Sequence, residues 1–144
     1  VKKQKRKGVD NHMKLTKANV QAIKRDGTKL EKEVCRYILD EWSDYTDKKA
    51  IFTDVLYNGC QSGIVGSLIY YTDTVAFYKR HREEINTLLQ ETMDECGSYN
   101  PADLFGGKWD KEDPLVLDTY NQNLLAWFGF EETMRKIAYQ FEID

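Results

Sequence analysis

The stretch Thr74–Gly97, TVAFYKRHREEINTLLQETMDECG, decides how the chain is read. Phe77, Tyr78, His81, Ile85, Leu88, Leu89, Met93 and Cys96 recur along it at steps of three and four, the period of one face of an α-helix. Thr72 or Asp73 stands where an N-terminal cap belongs, and Gly97 stands where a helix ends. This predicts one helix over 74–96, the longest in the chain, with its apolar stripe on a core.

The same reading extends upstream. Thr16 to Asp26 predicts a short helix closed by Gly27 in a left-handed conformation. Thr28-Lys29-Leu30-Glu31 has the form of a capping box, in which Ser/Thr and Glu satisfy each other's backbone N–H groups. Behind it Leu30, Val34, Tyr37, Ile38, Trp42 and Tyr45 form the next stripe. Thr46 is the expected cap of a third helix, which buries Ile51, Phe52, Val55 and Leu56 and stops near Asn58-Gly59. In residues 59–74, Ile64, Val65, Leu68 and Ile69 suit a buried helix or a short strand, and helix is preferred because no partner strand lies nearby.

Downstream, SYNPADLFGGKWDKE (98–112) has two adjacent glycines and a proline and predicts the one long loop. Asp113-Pro114 signals a helix start, with Val116, Leu117, Tyr120, Leu124, Trp127 and Phe128 inward. Gly129 is expected to break that helix before a last short one carrying Phe130, Met134, Ile137, Ala138 and Phe141. The expected fold is all-α: residues 13–144 as a single domain of about six to seven helices, with one long loop near 98–113.

Composition narrows the classes. With 41% hydrophobic and 31% charged residues the chain is globular rather than disordered. No apolar run approaches the roughly 18–20 residues that cross a bilayer, so no membrane role is expected and the location expected is cytoplasmic. Three cysteines, Cys35, Cys60 and Cys96, are too few and too scattered for a disulfide framework or a zinc site, and reduced, mostly buried thiols are expected.

Residues 1–12, VKKQKRKGVDNH, form a basic tail that could touch nucleic acid. A second reading is preferred. Lys5-Arg6-Lys7-Gly8-Val9 back-translates to a purine-rich, ribosome-binding-site type of string, so translation is expected to begin at Met13, in a low-GC bacterium or its phage. N-terminal sequencing of the natural product that found residues 2–12 intact would remove that expectation. Charge elsewhere is uneven. Residues 82–144 carry five Lys/Arg against fourteen Asp/Glu, a net −9, whereas 13–81 carry eleven against nine.

Several groupings bear on chemistry. Gly59, Gly63 and Gly66 lack the Gly-Lys-Ser/Thr of a phosphate loop and suit close helix packing instead. Asp73 and His81 could form an acid–base pair beside Tyr78, but His81 lies on the apolar stripe and Asp73 is placed to cap. Glu83-Glu84, Asp94-Glu95 and Glu131-Glu132 are sequence neighbours whose side chains diverge on a helix. No catalytic set, metal site or cofactor is therefore expected. Lys24, Arg25, Lys29, Lys32 and Arg36 cluster around the Gly27 turn and faintly suggest a helix-turn-helix, although Glu31 and Glu33 would repel phosphate.

Two stretches, NGCQSGIVGSLIYYTDTVAFYKRHREEI (58–85) and NLLAWFGFEETMRKIA (123–138), resemble a family of small proteins. That family comes from phages, plasmids and integrated elements of Gram-positive bacteria and is known only as a domain of unknown function. The resemblance implies an accessory protein of a mobile element and brings no catalytic residues. The leading expectation is a non-enzymatic protein that binds another protein, such as a host defence or replication factor. Its expected surface joins Tyr70, Tyr71, Asp73, Tyr78 and His81 to Trp127, Phe130 and Glu131. The alternative is a nucleic-acid-binding regulator using Lys24, Arg25, Lys29, Lys32 and Arg36, and the oligomeric state is left open.

Overall fold

The computed structural model describes residues 13–58, 74–105, 109 and 119–143. Among these, all regular structure is helical: α1 (Lys17–Asp26), α2 (Lys29–Asp40), α3 (Lys49–Asn58), α4 (Thr74–Arg80), α5 (Arg82–Cys96), α6 (Pro101–Leu104) and α7 (Thr119–Gln140), with a 3-10 turn at Trp42–Asp44. The all-α expectation holds. No helix of the described residues is long and apolar enough to cross a membrane. The basic tail 1–12, the glycine-containing segment 59–73 and the Asp113-Pro114 start signal lie outside the described residues. The chain divides into two compact units, Leu68–Gly129 and Lys2–Ser67 with Phe130–Asp144, so α7 contributes its first half to one and its second half to the other.

In the unit containing α1, α2 and α3, local chemistry sets the helix ends. Thr16 Oγ accepts from the Asn19 N–H at 3.1 Å to cap α1. The capping box at α2 is complete: Thr28 Oγ accepts from the Glu31 N–H at 3.1 Å, and Glu31 Oε1 accepts from the Thr28 N–H at 2.9 Å. Such caps contribute about 1 kcal/mol each. Leu30, Val34, Ile38, Ile51, Phe52 and Val55 are fully buried, as are Phe130 and Met134 from the second half of α7. Each such side chain stabilises by about 1.5–3 kcal/mol. Phe52 and Phe141 meet with ring centroids 6.0 Å apart.

Gly27 departs from expectation. Its φ of −86° is not left-handed, so positive φ is not what requires glycine there. The requirement is space: a Cβ would lie 2.9 Å from the Ile23 carbonyl oxygen and 2.8 Å from Glu31 Oε1. The end of α1 is closed instead by Lys32, whose ammonium donates to the carbonyls of Lys24 (3.0 Å) and Arg25 (2.7 Å). A cation is favourable at this negative pole of the helix dipole. Lys48 does the same after α2, donating to the carbonyls of Trp42 and Tyr45, both at 2.6 Å. Asp47 rather than Thr46 starts α3: its Oδ1 accepts from the Lys49 N–H at 3.1 Å.

In the unit containing α4, α5 and α6, the helix expected over 74–96 is broken at His81, which has φ −121° and ψ 24°. The Tyr78 hydroxyl donates to Asn86 Oδ1 at 3.0 Å across the break. Residues eight apart in a straight helix are separated by about 12 Å along the axis, so a bend is what brings these two side chains together. Gly97 ends α5 as expected, with φ 73°. The break expected at Gly129 is absent, and α7 runs through it. A Cβ at Gly129 would lie 2.6 Å from Ile85 Cγ1, so this glycine lets α5 and the first half of α7 approach closely.

The stretch expected as one long loop is partly ordered by its own side chains. Asn100 Oδ1 accepts from the Ala102 N–H at 2.9 Å and Pro101 opens the single turn α6. Trp109 is buried and stacks on Phe105 at 5.5 Å, and Phe105 meets Phe128 of α7 edge-on at 5.9 Å. The Thr74 hydroxyl donates to the side-chain carbonyl of Asn123, which ties the start of α4 to α7.

Candidate functional sites

The described members of the expected protein-binding surface are mostly interior side chains. Tyr78 is 1% exposed and its hydroxyl is bonded to Asn86. His81 is 4% exposed and its ring lies edge-on to Phe77 with centroids 5.0 Å apart. Phe130 is fully buried and meets Tyr37 edge-on at 5.3 Å. Trp127 is half-buried, and its indole Nε1 is buried with no hydrogen-bond partner among the described residues. Glu131 is half-buried beside Arg135 (3.6 Å). Burial raises its carboxyl above the ordinary range and Glu132 adds to this, while Arg135 opposes it. Tyr70, Tyr71 and Asp73 lie outside the described residues, and with them any acid–base pairing of Asp73 with His81. The aromatic members belong to the inward stripes that hold the helices together, because an aromatic at stripe spacing finds more apolar area inside than at the surface.

The basic cluster around the Gly27 turn is largely engaged locally. Arg25 pairs with Asp26 at 3.2 Å. Arg36 reaches Asp40 at 3.3 Å and Glu33 at 3.7 Å, with its guanidinium 4.8 Å above the Tyr37 ring. Lys32 is taken up by the carbonyls of α1. Lys24 is half-buried and Lys29 exposed, and neither forms an ion pair with another described residue. Nearby, burial pushes the Cys35 thiol up to about 11, with Glu31 adding and Lys24 opposing, so it is a poor nucleophile. Cys96, expected to be buried, is exposed. Cys60 lies outside the described residues.

Two features lie outside the surface first expected. The first is the outer face of α5, where Glu83, Glu91, Asp94 and Glu95 are exposed. Gln90 holds Asp94 there through a 2.9 Å hydrogen bond, and Tyr99 comes just beyond at 84% exposure. The signal was present as the complement of the apolar stripe. Tyr99 could not be read that way, because its exposure depends on where the chain turns after Gly97. The second is the corner between α2 and α3. Burial raises the Glu41 carboxyl, and Asp44, Asp40 and Asp54 raise it further. The Tyr45 hydroxyl, which donates to Asp54 at 3.1 Å, is pushed up to about 12, chiefly by burial. Among the described residues no group of three or more His, Cys, Asp or Glu is placed to hold a metal ion.

A family model described as Domain of unknown function (DUF7222) matches residues 11–143. No curated protein and no solved structure matches the chain.

Proposed function

We propose that this chain, which belongs to the DUF7222 family, is a non-enzymatic accessory protein of a bacterial mobile element that acts by binding a protein with a basic surface. The observation that carries this reading is the outer face of α5, where Glu83, Glu91, Asp94 and Glu95 lead to the exposed ring of Tyr99. Exposed carboxylates steer a cationic partner, and a tyrosine supplies apolar contact area with a polar tip. The net −9 of residues 82–144 extends the same sign of charge along the second half of the sequence. This face replaces the surface first expected around Tyr78, His81 and Phe130, whose side chains are buried. A host defence or replication factor is the kind of partner that the resemblance to phage and plasmid proteins favours. The nucleic-acid reading ranks second, because Arg25, Lys32 and Arg36 of its basic cluster are already engaged.

The test is retention of host proteins from a Gram-positive lysate, with and without nuclease, on the immobilised full chain, beside a variant carrying Glu91→Lys, Asp94→Lys and Tyr99→Ala. The reading expects one stoichiometric protein that is released by salt and absent from the variant. Equal retention on both forms would remove the α5 face, and retention that nuclease abolishes would transfer the reading to nucleic acid.

A further inference from the structure

We draw no further inference here: the strongest candidate, the exposed Lys79, Arg80 and Arg82 at the start of α5, is a helix N-terminus flanked by cations, and no second observation points to an anion bound there.

Discussion

Helices α5 and α7 end in the same way with different residues. After α5, the Ser98 N–H donates to the Met93 carbonyl at 2.8 Å and the Gly97 N–H to that of Asp94 at 3.3 Å. After α7, the Ile143 N–H donates to the Ala138 carbonyl at 3.0 Å and the Glu142 N–H to that of Tyr139 at 2.9 Å. Both are Schellman closures, which need a left-handed residue between the helix and the last donor. Gly97 fills that position at φ 73° and Glu142 at φ 59°. Glycine adopts this conformation without steric cost, whereas an L-residue is disfavoured by roughly 1–2 kcal/mol. The residue after the left-handed position differs as well. Ser98 is half-buried and polar, but Ile143 is 6% exposed. The buried Ile143 anchors the chain just beyond Glu142, and α5, which has no such anchor after Gly97, ends on glycine.

The largest effect should come from removing that anchor. Ile143→Ala is expected to cost about 2 kcal/mol, the low end for a buried isoleucine because a chain end relaxes easily. It should also unprotect the Glu142 and Ile143 amides in hydrogen exchange. Unchanged protection would mean that the closure of α7 stands without the anchor. At the other end, Gly97→Ala is expected to cost about 1 kcal/mol, read as a lower urea midpoint. A Cβ there meets nothing within 4 Å, so backbone strain alone is being measured. The reciprocal change, Glu142→Gly, should gain somewhat less than 1 kcal/mol, because glycine also loosens the unfolded chain. No gain would show that contacts of the Glu142 side chain offset its strain, and the two ends would then differ in more than their anchors.

How much of the fold was legible depends on the range of the interactions. The Thr28–Glu31 box and Gly97 are read correctly because each is settled within about five residues of chain. Gly27 and Gly129 stand out in the sequence as special, but for the wrong reasons. Gly27 makes room for Ile23 and Glu31, each four residues away, rather than supplying a positive φ, and Gly129 makes room for Ile85, forty-four residues away in sequence. Close approach between helices far apart in sequence, as at Gly129, leaves no local signature. The break at His81 is hidden for a related reason, since its apolar stripe continues through a bend that shows in the Tyr78–Asn86 bond. At the candidate sites, spacing puts Tyr78, His81 and Phe130 on inward stripes, where they are buried, and the surface expected of them ran against that spacing. Aromatics at stripe positions are core by default, and a dense group of them reads much the same whether it faces in or out. The diverging acid pairs Glu83-Glu84 and Asp94-Glu95 were legible as outward groups from the stripe they leave free, but the exposure of Tyr99 was not.

A third helix end extends the comparison at smaller amplitude. α2 has no left-handed residue: Glu41 sits at its end with φ −92°, its N–H directed to the Tyr37 and Leu39 carbonyls. A carboxylate there faces the negative pole of the helix dipole as well as Asp40, Asp44 and Asp54, and its pKa is raised, first by burial and then by those three acids. Linkage sets the sign. A carboxyl whose folded pKa lies above its unfolded value is more readily protonated when folded, so its ionisation costs stability. That cost is fully present above the raised pKa and disappears as pH falls toward the ordinary glutamate range. Urea unfolding of the wild type from pH 7 down through the ordinary glutamate value of 4.5, set against Glu41→Gln, isolates this contribution from the other carboxylates. The variant should be the more stable form at pH 7, and its advantage should shrink as the pH is lowered. An advantage that stayed constant with pH would assign the effect to packing, and α2 would then join α5 and α7 as an end governed by shape rather than charge.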